Sequence, residues 1–393
     1  MAETERRTMT SCDFLIIGGG IAGASAAFEL AAFGSVVLVE RESQPGYHST
    51  GRSAALYTET YGNQAIRALT VGSRAFYDGV AGAGFSEHPV LTPRGVLLIG
   101  RDDQRAALDH AFQAGSVLTP SVRVLTAAET LRMAPMLRPD YVAGAVWEPD
   151  AMDMDVHAIH HGYLRGLRAR GGRIATDAEL LGLTRRDGLW HTETRAGSYS
   201  APWVVNAAGA WADTVAALAG LAPIGLVPKR RTAITFDPVF DPERTSPGQA
   251  GMPHWPMVCD VDETFYFKPE GGRLLASPAD ETPSEPCDAQ AEELDVALTV
   301  DRIEQACLFS IRRISHRWAG LRTFAPDKTP VVGPDSRSEG FFWLAGQGGY
   351  GIQTAPAMAR TAAGLLTSGK IPEDLTALGV SAEDLAPGRL RAD

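Results

Sequence analysis

Phe14-Leu15-Ile16-Ile17-Gly18-Gly19-Gly20-Ile21-Ala22-Gly23 is the stretch on which the reading of this chain turns. Four apolar residues in a row suit a parallel strand covered on both faces. They run into a G-x-G-x-x-G turn, and an Ala-rich segment of good helix propensity follows to Phe33, with Gly34 placed for its C-terminal cap. A second apolar run, Val36-Val37-Leu38-Val39, ends on Glu40, 17 residues past Gly23. This order of strand, turn, helix, strand and acid predicts a dinucleotide site. Gly18 permits the tight turn, Gly20 lets the backbone approach a pyrophosphate, and Gly23 brings helix against strand. The helix start at Ile21 and Ala22 offers free N–H groups and a partial positive charge to phosphate. Glu40 can accept both hydrogen bonds of an adenosine ribose diol, and Arg41 follows it at the same end.

The residues beyond Glu40 predict FAD rather than NAD. Gly46-Tyr47-His48-Ser49-Thr50-Gly51-Arg52-Ser53-Ala54-Ala55 has small residues, hydroxyls and one cation. Such a loop can lie along a pyrophosphate and a flavin edge, with Ser49, Thr50 and Ser53 as donors and Arg52 as counter-charge. Far along the chain, the apolar run Phe341 to Ala345 enters Gly346-Gln347-Gly348-Gly349-Tyr350-Gly351, then Ile352, Gln353 and an Ala-rich helix up to Ser368. A second strand–glycine–helix junction suits a cofactor too long for one turn. Leu180 falls in a segment, Gly172 to Leu181, expected to cross over the adenosine as a strand. Trp203-Val204-Val205-Asn206, which leads into small residues, is expected back beside the cofactor sheet.

Composition narrows the class. The 393 residues are 45% hydrophobic and 21% charged, as in an ordinary globular enzyme of two or three domains. A net charge of −11 argues against nucleic-acid binding, which needs clustered cations. The polar opening from Met1 to Cys12 has no signal-like segment, and no run approaches membrane-spanning length, so a cytoplasmic location is expected. Cys12, Cys259, Cys287 and Cys307 are widely spaced, which excludes a C-x-x-C redox or zinc motif and predicts buried structural thiols. No metal site is expected.

The expected fold is α/β, α+β overall. A Rossmann-like FAD-binding domain (12–88, 140–225, 319–393) is interleaved with a substrate domain (89–139, 226–318) on a mostly antiparallel sheet. The second part carries Pro-rich connections and short alternating strands such as Thr264 to Lys268.

Taken together, Gly46 to Ala55, Pro228-Lys229-Arg230-Arg231, Ala319-Gly320-Leu321-Arg322 and Gln347 to Gln353 resemble the bacterial FAD-dependent D-arginine dehydrogenases of the D-amino-acid oxidase and glycine oxidase superfamily. The resemblance runs essentially end to end. It implies non-covalent FAD and oxidation of a D-amino acid to its imino acid by hydride transfer from Cα to flavin N5; water then yields a 2-oxo acid and ammonia. It also implies an electron acceptor: a quinone, a dye or oxygen. Arg322 matches the family's main carboxylate clamp, Arg231 a second substrate arginine, and Tyr61 and Tyr266 the pocket tyrosines. Gly349 and Gln353 match positions close to the substrate amine and the flavin. For each arginine a structural salt bridge is the competing reading.

Two departures bear on the substrate. Leu56 stands where arginine-preferring members have a histidine, and Val96, after Pro93-Arg94-Gly95, where they have the glutamate that pairs with the substrate guanidinium. A buried guanidinium without its carboxylate costs about 3–5 kcal/mol. The expectation is a preference for neutral or apolar side chains, with Glu59 as a possible replacement charge or merely a solvated acid. Alternatives are another superfamily amine oxidoreductase, acting on glycine or a secondary amine, and a non-catalytic FAD-binding subunit.

Overall fold

The computed structural model describes residues 9–82, 84–240 and 249–391. The polar opening as far as Thr8, and 241–248 of the expected second domain, lie outside the described residues.

A six-stranded sheet holds the motifs quoted above. Its order is Arg173–Ala175, Val36–Val39, Phe14–Ile17, Trp203–Asn206, Phe341–Ala345 and Val331–Pro334. Every neighbouring pair is parallel except the last. Continuous apolar runs are required here because alternate side chains face two separate cores. Phe14, Ile16, Val36 and Leu38 pack under the helices Ile21–Leu30 and Gly351–Thr367, with Ala26, Ala27, Met358 and Ala362 at the contact. Leu15, Ile17, Val37 and Val39 face Trp190, Tyr199 and Val215 on the other side. The first helix ends at Leu30, short of the expected Phe33, and a turn carries the chain to the next strand.

The long helix Gly351–Thr367 contains Pro356. Proline has no N–H to give to the carbonyl four residues back, Ile352. The Tyr77 hydroxyl, from the helix Arg74–Gly79, donates to that carbonyl instead.

A nine-stranded, mostly antiparallel sheet forms the second layer. Its one parallel pair is Met257–Asp260 beside Val96–Gly100. Its centre of interest is a ribbon in which Val227–Phe236 and Ile314–Phe324 run antiparallel from Val227↔Phe324 to Phe236↔Ile314. Two boundaries differ from expectation. The strand Ile314–Phe324 runs unbroken through position 319, and Gly144–Glu148, placed with the cofactor domain, pairs with Val96–Gly100 in this sheet. Alternation in a sheet with one polar face leaves a weaker mark than a buried run, so the edges of this layer were harder to read.

The segment expected to be one strand over the adenosine is two. Arg173–Ala175 edges the six-stranded sheet, while Leu180–Arg186 joins a four-stranded one. Asp177, at φ +52°, turns the chain between them, held by Asp177 N–H to the Glu42 carbonyl and Ala178 N–H to the Glu40 carbonyl. Cys12 and Cys307 are buried, and burial raises the Cys12 thiol to about 11. Cys287, expected to be buried, is exposed.

Candidate functional site

One cleft is lined by residues of both sheets. It runs from Gly18, Gly20, Ile21, Ala22, Glu40, Arg41 and Leu180 at one end, past Ser49, Thr50, Arg52, Ser53 and Ala54, to Gly348, Gly349, Gly351 and Ile352. Arg231, Tyr266 and Arg322 close its far end. Its succession of glycine turns fits an extended dinucleotide better than a mononucleotide.

The glycine turn is built as its spacing requires. A side chain at Gly23 would sit 1.9 Å from the Gly18 carbonyl oxygen, and one at Gly18 2.5 Å from that of Ala207. Gly23 therefore shapes the turn from behind the cleft. Glu40 is buried and braces it: Oε2 accepts from Gly19 N–H at 2.7 Å and Oε1 from Glu42 N–H at 2.9 Å. Each oxygen keeps a second lone pair for a ribose hydroxyl. Thr50 Oγ1 accepts from Ile21 N–H at 3.0 Å and so ties the flavin loop to the helix start. Gly51 N–H closes that loop on the Gly46 carbonyl. Two residues that the glycine motifs did not mark, His160 and Trp211, complete this end. His160 Nε2 lies 2.8 Å from the Gly19 carbonyl oxygen, and burial lowers its pKa, which keeps the ring neutral. Trp211 stands between Arg41, 4.8 Å over its ring, and His48, 4.7 Å away. His48 in turn pairs with Glu42 at 2.9 Å. The small-residue run Asn206 to Trp211 was the signal for Trp211; nothing local marks His160.

Arg52 lines the cleft, yet its donors serve the second layer: the carbonyls of Ala289 (2.9 Å) and Ala319 (3.0 Å), and the Asp288 carboxylate. It binds the loop to the ribbon rather than standing free as a counter-charge. Ser49 does similar work, donating to the Leu321 carbonyl. Ala55 lies in the packed shell behind the loop.

At the far end the ribbon's register decides the chemistry. Lys229 lies opposite Arg322, and Arg231 opposite Gly320, so the three cations share one face. Arg322 is partly buried, the surface it keeps borders the cleft, and among the described residues it has no carboxylate partner. Its one hydrogen bond, from Nη1 to the Tyr61 phenol, is long at 3.4 Å. Gly349 makes room for it: a side chain there would meet Arg322 Nη1 at 2.7 Å. Arg231 is less free, donating to the Asp280 carbonyl at 2.8 Å and meeting Glu281 at 3.5 Å. Burial raises the Tyr61 pKa, so the phenol stays neutral; its hydroxyl donates to Glu263 Oε2 at 3.4 Å, and its ring leans on Tyr350 at 4.7 Å.

Tyr266 packs in an apolar cluster with Leu56, Val96, Ala151, Met257 and Leu275. Both specificity positions thus fall in the wall around one tyrosine. Glu148, directly opposite Val96, is buried and already taken by Thr58 Oγ1, Thr60 Oγ1 and Glu59 N–H, each at 2.6 Å. Glu59 bonds Tyr57 (2.9 Å) and Thr119 (3.2 Å). Neither acid is a free replacement charge. Gln353 does not border the cleft; its amide donates to the Thr58 carbonyl and Thr70 Oγ1. No cluster of metal ligands occurs among the described residues, and no described helix is long and apolar enough to cross a membrane.

Residues 13–365 match the DAO family, described as FAD dependent oxidoreductase. Glycine oxidase from Geobacillus kaustophilus is 24% identical over 392 residues, covering 95% of each chain. Rat mitochondrial dimethylglycine dehydrogenase and human mitochondrial sarcosine dehydrogenase are each 24% identical across 93% of this chain. The chain spans less than half of their lengths, 44% and 41%. Among solved structures, L-proline dehydrogenase from P. horikoshii superposes with a TM-score of 0.81 at 21% identity, covering 97% of this chain and 98% of that one. Glycine oxidase from G. kaustophilus superposes at 0.77 and 22%, covering 91% and 95%. These likenesses show the fold.

Proposed function

The chain belongs to the DAO family of FAD-dependent oxidoreductases, and from that membership we propose that it oxidises the C–N bond of a small α-amino acid of the glycine or N-alkylglycine type. The observation that carries this reading is Arg322, a partly buried guanidinium on the cleft with no carboxylate partner among the described residues. A planar guanidinium in such a place calls for a carboxylate ligand, which it can hold through two parallel bonds. The names of relatives matched along nearly all or part of their length, glycine oxidase and the sarcosine and dimethylglycine dehydrogenases, support the amine class.

Bound FAD supplies the two-electron oxidation at the carbon next to nitrogen. The protein's own part is placement. Arg322 and the neutral Tyr61 phenol hold the carboxylate, Arg231 adds a second positive charge, and Tyr266 with its apolar cluster walls off water. The imino product then hydrolyses in water, and the electrons leave to a quinone, a dye or oxygen.

A second reading, a D-amino acid with an apolar side chain, draws support from one observation. Leu56 and Val96 line the Tyr266 cluster, and the nearby acids Glu59 and Glu148 are already bonded. One experiment separates the readings. The holoenzyme is mixed anaerobically with glycine, sarcosine, dimethylglycine, proline, and D- and L-amino acids while the flavin absorbance is followed. Bleaching by glycine or sarcosine supports the first reading, and bleaching by apolar D-amino acids the second. Bleaching by none of them rejects both, and selective bleaching by D-arginine rejects the apolar wall as the determinant. The same reaction in air shows whether oxygen accepts the electrons.

A further inference from the structure

The face of the ribbon that presents Arg322 and Arg231 also presents Lys229, and Lys328 lies close by. Glu281 stands among them. Its Oε1 meets Arg231 Nη2 at 3.5 Å, while Oε2 meets Lys229 Nζ at 2.9 Å and Lys328 Nζ at 3.5 Å. The two lysines approach the Phe324 ring as well, at 5.2 and 5.8 Å, which keeps them near the acid. One carboxylate is thus shared by three cations, and its bond to the arginine is among the longest of the three. Arg231 borders the cleft, whereas Glu281 does not.

We propose that Glu281 is a placeholder for the substrate carboxylate: it partners Arg231 while the site is free and gives Arg231 up when substrate arrives, retained by Lys229 and Lys328. Two features make the exchange cheap. Arg231 Nε remains bonded to the Asp280 carbonyl, so the guanidinium does not have to move to change partners. Glu281 keeps two ammonium groups on its other oxygen, so it is not left as an unpaired, half-buried anion. Without Glu281, Lys229 and Lys328 would lose the carboxylate they share and Arg231 its carboxylate contact. Glu281 is therefore a positioning residue that sets how strongly a carboxylate must compete for Arg231.

This proposal rests on the cleft being an amino-acid site, and the test distinguishes the two failures. Propionate, which has the carboxylate without the amine, is titrated into oxidised holoenzyme, with binding read from the flavin spectrum. The bleaching amino acid is then used for an apparent Kd of reduction. Glu281→Gln should bind both roughly three- to tenfold more tightly, as expected from removing an anion several ångströms away at a partly screened site. Lys328→Met, a change outside the cleft, should bind both about threefold more weakly, because Glu281 then stays with Arg231. In Glu281→Gln/Lys328→Met the lysine change should have almost no effect, since there is no acid left to receive. Flavin content and the limiting rate of reduction should stay at the wild-type level in all three.

Additive effects in the double variant would show that Lys328 acts only through its field, and would overturn the exchange. Weaker or unchanged binding in Glu281→Gln would overturn it as well. If wild type binds no propionate and no amino acid bleaches it, the amino-acid reading fails and this proposal falls with it.

Discussion

Replacing Arg322 by methionine should act in opposite directions on stability and on binding. In the free protein the guanidinium has lost part of its hydration, with one 3.4 Å bond to Tyr61 in return and no carboxylate among the described residues. Methionine fills a similar volume without a charge to desolvate. Exchanging buried charge for apolar packing is often neutral or stabilising, by about 1–4 kcal/mol for well-packed replacements. Arg322 keeps some exposure to the cleft, so a gain of up to about 2 kcal/mol is expected. Binding moves the other way. A carboxylate placed there would lose its main partner, at a cost of about 3–5 kcal/mol for an unpaired buried charge. Arg231 remains to offset some of that, so the lower end applies: about 3 kcal/mol, or roughly a hundredfold in apparent Kd. Urea unfolding of the FAD-loaded variant measures the first effect, and anaerobic flavin reduction against substrate concentration the second. A clear loss of stability with binding intact would mean that Arg322 is a structural ion-pair member, and the clamp would be refuted.

Other consequences are simpler to test. Gly349→Ala would press a methyl group against the Arg322 guanidinium, which must shift by about an ångström. Substrate affinity should fall at least tenfold with FAD content unchanged, measured by the same reduction titration. Glu40→Gln loses a charged acceptor for Gly19 and Glu42 N–H. FAD should bind about tenfold more weakly, as read from fluorescence quenching when it is added to apoprotein; a change under twofold would contradict the ribose and brace roles. Asp335 governs part of the acid response. Burial alone would raise its pKa, but Arg391, the Trp343 indole and Arg337 N–H outweigh burial and hold it below 3.8. A depressed carboxylate contributes stability that is present above its unfolded value and lost as pH falls through the folded one. Asp335→Asn should therefore lower the urea midpoint at pH 7 and leave a shallower acid limb below about pH 4.

How much of this could be read beforehand depended on the physics of each part. Phe14–Ile17, Val36–Val39, Trp203–Asn206 and Phe341–Ala345 stood out because strands buried on both faces must be apolar throughout, and the glycines after them have one steric use. Arg231 and Arg322 could be nominated, but not weighed. Only the pairing register places them on one face, and only the folded positions of the Asp280 carbonyl and Glu281 make Arg231 the more encumbered of the two. Arg52 could be placed on the cleft, but its partners could not be foreseen: a cation in such a loop looks the same whether or not its donors also serve the Ala289 and Ala319 carbonyls. His160 left no local trace, since its partner, Gly19, is 141 positions away. Gln353 follows a glycine turn in sequence but turns into the core toward Thr58 and Thr70, because a helix sends successive side chains in different directions.

Pro356 has a consequence for the order of assembly. The helix that begins at Gly351 cannot satisfy its own Ile352 carbonyl; the hydroxyl comes from Tyr77, far away in sequence and buried. The first turn of that helix is therefore incomplete until the segment 74–79 has docked, and that turn carries Gly351 and Ile352 on the cleft. Isolated fragments from the C-terminal third should be poorly helical around Ile352, and the cleft's glycine wall should be among the last parts to become rigid as the chain folds. Maturation of the cofactor cleft is in this way tied to a tyrosine that never touches it.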